Sequence, residues 1–195
     1  MAEATLTKVG RPRDPHVDEA ILSAALDLLI EEGFPRLSIE GVAARAGVGK
    51  AAIYRRWDSK TSLVVDAINE RVVCGIDFPD TGDFRADVEA VLTQVLNRIR
   101  GLEGKVWKAV VSELVKNEEL AEMFRREFVA VRRADMISRV KAAMDSGQLP
   151  PGDVELLADV GSAMVHHRML VSGEPPTDDL PKRIVRQFFP KEENS

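Results

Sequence analysis

The sequence predicts an all-α protein of about nine helices, arranged as a small N-terminal unit followed by a larger helical domain. Apolar residues recur at helical spacing along nearly the whole chain, and no stretch alternates with period two over strand length. Clusters of Gly, Pro and Asp punctuate this pattern, the first clear break being 77–83. The 195 residues allow one domain or two small ones and can bury a core without disulfide or metal. At 45% hydrophobic and 30% charged, the bulk of the chain is too apolar to be disordered.

The first helix is expected near Asp14-Pro15, where Asp can cap and Pro fits the first turn. It carries Val17, Ile21, Ala25, Leu28 and Leu29 on one face, and Gly33 ends it as a left-handed cap. Ser38 offers an N-cap to a short helix with Ile39, Val42, Ala43 and Ala46, which stops at Gly47. A third helix runs from about Gly49 to Arg56, and Ser59 caps a fourth that buries Leu63, Val64, Ala67, Ile68 and Val72.

Beyond the break, Phe84, Val88, Leu92, Val95 and Ile99 mark helix five, ended by Gly101 and Gly104. Helix six holds Val106, Val110, Val111 and Leu114, and a long helix seven runs from about Glu118 to Ser146. Pro150-Pro151-Gly152 separates it from helix eight, Asp153 to about Val171, and a last helix spans roughly Asp178 to Phe189. The expected organisation is an arm at 1–13, a small helical unit at 14–60 and a larger helical domain at 61–195, bridged by the helix at 59–75.

The chain has 27 basic and 32 acidic residues, a net charge of -5, which argues against coating nucleic acid through bulk electrostatics. The sum conceals an asymmetry. Residues 45–60 hold five basic side chains and one acidic (+4), and 8–13 hold three basic and none acidic (+3). The remainder beyond residue 60 carries 18 basic and 23 acidic residues, the full -5. One Cys, no apolar run of about 20 residues and no signal-like N-terminus lead to the expectation of a cytoplasmic protein without a membrane partner.

Residues 38–60 carry the informative pattern. A short helix, a glycine turn and a second short helix form a helix-turn-helix, the unit that places a recognition helix in the DNA major groove. Val42, Ala43, Ala46, Val48, Ile53 and Trp57 are expected to pack inward, while the small Gly49, Ala51 and Ala52 allow close approach to bases. Lys50, Tyr54, Arg55 and Lys60 remain to reach outward, toward phosphates or guanine.

The spacing Val42-Ala43, Ala46-Gly47-Val48, Ile53-Tyr54, Trp57 and Lys60 resembles the DNA-binding half of the tetracycline-repressor (TetR) family. By motif the likeness covers about Asp14 to Val72; beyond that, helices match in number, length and order. Family members commonly have Ser or Thr where Gly49 stands and Phe where Trp57 stands. The resemblance implies that Ser38 and Lys60 hold phosphates and that Lys50, Ala51, Ala52, Tyr54 and Arg55 face double-stranded DNA at a palindromic operator. It further implies a small, apolar effector lying among Trp107, Met123, Phe128, Met136, Met164 and His167. A homodimer through the last two helices would use Leu156, Val160, Met164, Val171, Ile184 and Phe188. The function so implied is ligand-responsive transcriptional regulation, repression in the first instance. Activation by the same fold, or a helical carrier or enzyme, are the alternatives.

Gly10-Arg11-Pro12-Arg13 resembles the core of minor-groove AT-hooks, with Arg11 and Arg13 as groove-entering side chains. A solvated basic tail is the other reading. His166 and His167 point about 100° apart on a helix and cannot share a metal, so one should face the interior and the other solvent. Cys74 reads as a packing residue. No catalytic constellation or phosphate-cradling loop is present in the sequence, so neither enzymatic activity, cofactor nor metal is expected.

Overall fold

The computed structural model describes residues 15–73, 75–174 and 176–190, all of whose regular structure is helical. The expectations for Arg11, Arg13 and Cys74 lie outside the described residues. Helix α1 is Pro15–Glu32, α2 Ile39–Ala46, α3 Lys50–Tyr54, and α4 Lys60–Ile68 continuing into a π-helical turn, Asn69–Val73. Then come α5, Phe84–Ile99, and α6, Leu102–Leu114. Helix α7 runs from Glu118–Phe124 through a π turn, Arg125–Val129, into Ala130–Asp145. Helix α8 is Val154–His167 with a π turn at Arg168–Ser172, and α9 is Leu180–Phe188. The third and last helices are shorter than the spacing predicted.

Helix ends follow capping chemistry. Asp83 Oδ1 accepts from Arg85 N at 3.0 Å and Ala86 N at 3.1 Å, starting α5, and Asp153 does the same for α8. The buried Asp87 carboxylate accepts from Thr81 N at 3.1 Å and from its hydroxyl at 2.6 Å, fastening the 77–83 connection onto α5.

Apolar side chains gather into two cores. The first joins α1–α4 to Val106, Trp107 and Val110 of α6 and to Leu120 and Phe124 of α7. The second joins Phe84, Val88 and Leu92 of α5 to Val140 and Ala143 of α7, Val165 of α8, and Leu180, Ile184 and Val185 of α9. Packing therefore does not divide at residue 60, because the first core draws on both sides of that position. Helix α7 serves both cores, and the π turn between its halves buries no residue. One added residue turns the apolar stripe by about 100°, which lets one helix face two cores in succession.

Candidate nucleic-acid interface

The motif at 38–60 is built from its buried side outward. Val42 and Ile53 are fully buried, Ala43 and Trp57 nearly so, and all join Ile21, Ala25 and Leu28 of α1 in the first core. Ser38 is extended, and its Oγ accepts from Gly41 N at 3.1 Å, which starts α2. Gly47 has φ +67°, the left-handed region that a side chain disfavours. There Val48 N donates to Ala43 O at 3.0 Å and Gly47 N to Ala44 O at 3.3 Å, the paired bonds that close a helix and reverse the chain. Gly49 is extended and caps α3 without a side-chain hydrogen bond.

On the outer side, Ser38, Lys50, Ala51, Tyr54 and Arg55 are exposed and Ala52 is partly so, with Tyr54 54% exposed. The Arg55 backbone N–H donates to Ala51 O at 3.3 Å, while its exposed guanidinium meets no ion-pair or hydrogen-bond partner among the described residues. Lys50 Nζ donates to Glu40 Oε1 at 2.9 Å; this raises the ammonium's pKa and lowers that of the carboxyl. The pair is exposed on both sides, hence weak, and a phosphate can replace the carboxylate.

The basic excess of 45–60 is smaller than its count suggests. Arg45 pairs with Glu31 at 2.6 Å, Arg56 with Asp18, and Arg56 also donates to Ala52 O at 2.8 Å. Lys60 differs from the expectation of a phosphate contact. Its ammonium donates to Phe34 O at 3.0 Å and Leu37 O at 3.2 Å and lies 4.5 Å from the Phe34 ring centroid, so it bolts α4 to the α1–α2 connection.

A further tie was missed by sequence reasoning. Trp57 Nε1 donates to Asp66 Oδ2 at 2.8 Å, joining the end of the motif to α4. The departure from Phe to Trp signals it, since a buried indole N–H needs an acceptor. Asp66→Ala is expected to leave that N–H unpaired and to cost about 1 kcal/mol. Thermal denaturation should register this as a fall of roughly 3 °C; an unchanged midpoint would mean the bond contributes nothing.

The residues expected at an effector site fall into two groups. Trp107 is in the first core with Met123 and Phe128 against it, whereas Met136 and Met164 pack against the second. His167 is exposed; it is His166 that faces inward, stacked on Trp107 at 4.7 Å with 17° between the planes. Among the expected dimer residues, Ile184 is buried within the subunit's own second core and cannot serve an outer surface. Leu156 and Val171 are 66% and 72% exposed, and Val160, Met164 and Phe188 are partly buried. An open depression of about 230 Å³ runs beside Leu156, Leu157 and Phe188.

Comparison with known proteins agrees with this architecture. Residues 21–67 match the family model described as bacterial regulatory proteins, tetR family, and residues 78–188 the one described as tetracyclin repressor-like, C-terminal domain. The chain is 32% identical over 184 residues to the HTH-type transcriptional regulator YdeS of Bacillus subtilis, covering 94% of this chain and 93% of that one. It is 30% identical over 162 residues to the DNA-binding transcriptional repressor TetR of Mycobacteroides abscessus, covering 82% and 84%. Among solved structures, the TetR family transcription regulator SCO0332 superposes with a TM-score of 0.68 at 34% identity, covering 87% of this chain and 94% of that chain.

Proposed function

The chain belongs to the tetracycline-repressor family of DNA-binding transcriptional regulators, and from that premise we propose that it is a homodimeric repressor released from a palindromic operator by a small molecule. The observation that carries the DNA-reading face is the split character of α2 and α3. Their inner side is sealed into the first core, while Ser38, Ala51, Tyr54 and Arg55 stand in solvent. In this reading Ser38 and Tyr54 donate hydroxyls to phosphates, Arg55 and Lys50 supply charge, and Ala51 and Ala52 let the helix approach base edges. Arg11 and Arg13 extend the contact into the neighbouring minor groove.

Two such heads must meet successive major grooves about 34–36 Å apart. The exposed Leu156 and Val171 with the partly buried Val160, Met164 and Phe188 are the pairing surface this reading assigns to α8 and α9. No helix among the described residues is long and apolar enough to cross a membrane, and the site of action in this reading is the cytoplasm.

Release runs through α4. Its Lys60 end is bonded to the head, its middle is buried through Leu63, Val64, Ala67 and Ile68, and its π turn contacts α6. An effector that moves α6 or α7 thereby moves the head, provided it prefers the non-binding arrangement by a few kcal/mol.

Selection and sequencing of bound DNA fragments gives the operator. On it, Tyr54→Ala and Arg55→Ala are each expected to weaken binding about tenfold, with dimer mass and melting temperature unchanged. Arg55→Ala should also flatten the salt dependence by about one phosphate contact. Gel-shift titrations from 50 to 200 mM salt that coincide with wild type would remove these residues from the interface.

A further inference from the structure

We propose that Glu40 reads DNA together with Lys50, the two side chains selecting one G·C base pair in each half of the operator. The proposal rests on the assignment of 38–60 as the DNA interface, and adds to it a base-reading residue and the base pair it takes.

Among the described residues of 15–60 there are three ion pairs, and two of them brace the head. Arg56–Asp18 ties α3 to α1, with side chains only 13% and 31% exposed, and Arg45–Glu31 ties α2 to α1. Lys50–Glu40 is placed differently. It joins the first residue of α3 to the first turn of α2, and both side chains are more than half exposed. A pair so exposed adds little stability. Lys50 stands one turn before the exposed Tyr54 on the same side of α3, and the leading residues of a recognition helix are those that meet base edges. The Glu40 carboxylate is therefore carried on the DNA-facing side, where phosphates repel it.

Such a carboxylate costs affinity unless it meets a donor, and the major groove offers two, cytosine N4 and adenine N6. Lys50 Nζ and Glu40 Oε1 are 2.9 Å apart, the ordinary length of the hydrogen bond that joins cytosine N4 to guanine O6. Laid along that edge, the ammonium donates to guanine O6 and N7 and the carboxylate accepts from cytosine N4, with the Lys50–Glu40 bond still made. An A·T pair fits worse at both ends. A carboxylate on adenine N6 meets the N7 acceptor beside it, and an ammonium on thymine O4 meets one acceptor and a methyl group. On other sequences Lys50 turns to phosphate and leaves Glu40 unpaired against a polyanion, so the pair penalises the wrong site as well as rewarding the right one.

Selection of bound fragments from a randomised duplex library, followed by competition binding on operator and random DNA, tests this with full-length wild type, Glu40→Gln and Lys50→Met. The wild-type motif should hold one G·C pair per half-site whose exchange for A·T weakens binding about tenfold. That same position should lose its G·C preference in both variants. Glu40→Gln should bind random DNA about fivefold more tightly, because Lys50 is released to phosphate, and its preference for operator over random DNA should fall at least tenfold. Both variants should melt within a few degrees of wild type. Equal gains on operator and random DNA with the motif intact would make Glu40 a bystander that only neutralises Lys50, and overturn the proposal. A wild-type motif with no G·C pair that answers to both variants overturns it too. Tyr54→Ala and Arg55→Ala separate this proposal from the reading beneath it. If they weaken operator binding while Glu40→Gln leaves the motif unchanged, the interface stands and the base assignment falls; if they bind as wild type does, both fall.

Discussion

Gly104→Ala is expected to destabilise the fold by about 3 kcal/mol, the upper range for forcing atoms into a packed interior. Gly104 lies in the first turn of α6, where α5 has just ended at Ile99 and the chain reverses through Gly101. A methyl group at Gly104 would overlap the Ile99 carbonyl oxygen and lie 2.8 Å from its carbon. Both obstacles are backbone, so no side-chain rotation relieves them and the α5–α6 corner must open. Helix α6 carries Val106, Trp107 and Val110 into the first core, hence the displacement is felt by α1 and α4 as well. For a chain of this length the melting midpoint should fall by roughly 10 °C. A midpoint within a degree of wild type would show that the corner adapts freely and that its close approach is not required.

Capping and periodicity made most of the architecture legible in the sequence. Ser38, Ser59 and Gly47 behave as their residue types demand, because each satisfies backbone groups within three or four positions of itself. Such chemistry is local and needs no knowledge of the fold. The inward positions Val42, Ile53 and Trp57 follow from spacing for the same reason.

What escaped depends on partners far along the chain. Spacing shows that His166 and His167 diverge by about 100°, but which of them meets Trp107 is decided by how α8 lies on α6, a distance of about sixty residues in sequence. Ile184 has the periodicity of either an outer or an inner face, and only the position of α5 makes it inner. The three π turns at Asn69, Arg125 and Arg168 leave no mark in residue type, since each shifts the register of an otherwise ordinary helix. Arg45, Lys50 and Arg56 all add to the basic count of 45–60, whereas each finds a carboxylate 10 to 38 positions away. The DNA-facing charge of the head therefore depends on how readily Lys50 exchanges Glu40 for phosphate.

Lys60→Met is expected to cost about 2 kcal/mol of stability and to leave the salt dependence of operator binding unchanged. Methionine retains the apolar length of the lysine stem, so packing against the Phe34 ring survives in large part. What is lost is the ammonium that donates to Phe34 O and Leu37 O. Both residues are almost fully buried, and their carbonyls lie in the short connection between α1 and α2. Bonds to a charged donor are stronger than neutral ones, while Lys60 itself is partly exposed, so water recovers some of the loss. The midpoint should fall by roughly 6 °C. A lysine that instead held a phosphate would give the opposite pair of results, with an unchanged midpoint and a salt slope smaller by about one contact. Thermal denaturation and a gel shift at two salt concentrations separate these. Because α4 also carries any movement of α6 and α7 to the head, loosening its Lys60 end should blunt effector release at temperatures where the variant is still folded. A Lys60→Met protein that is released as sharply as wild type would mean that α4 is coupled to the head through the Trp57–Asp66 bond and the buried Leu63 and Val64 alone.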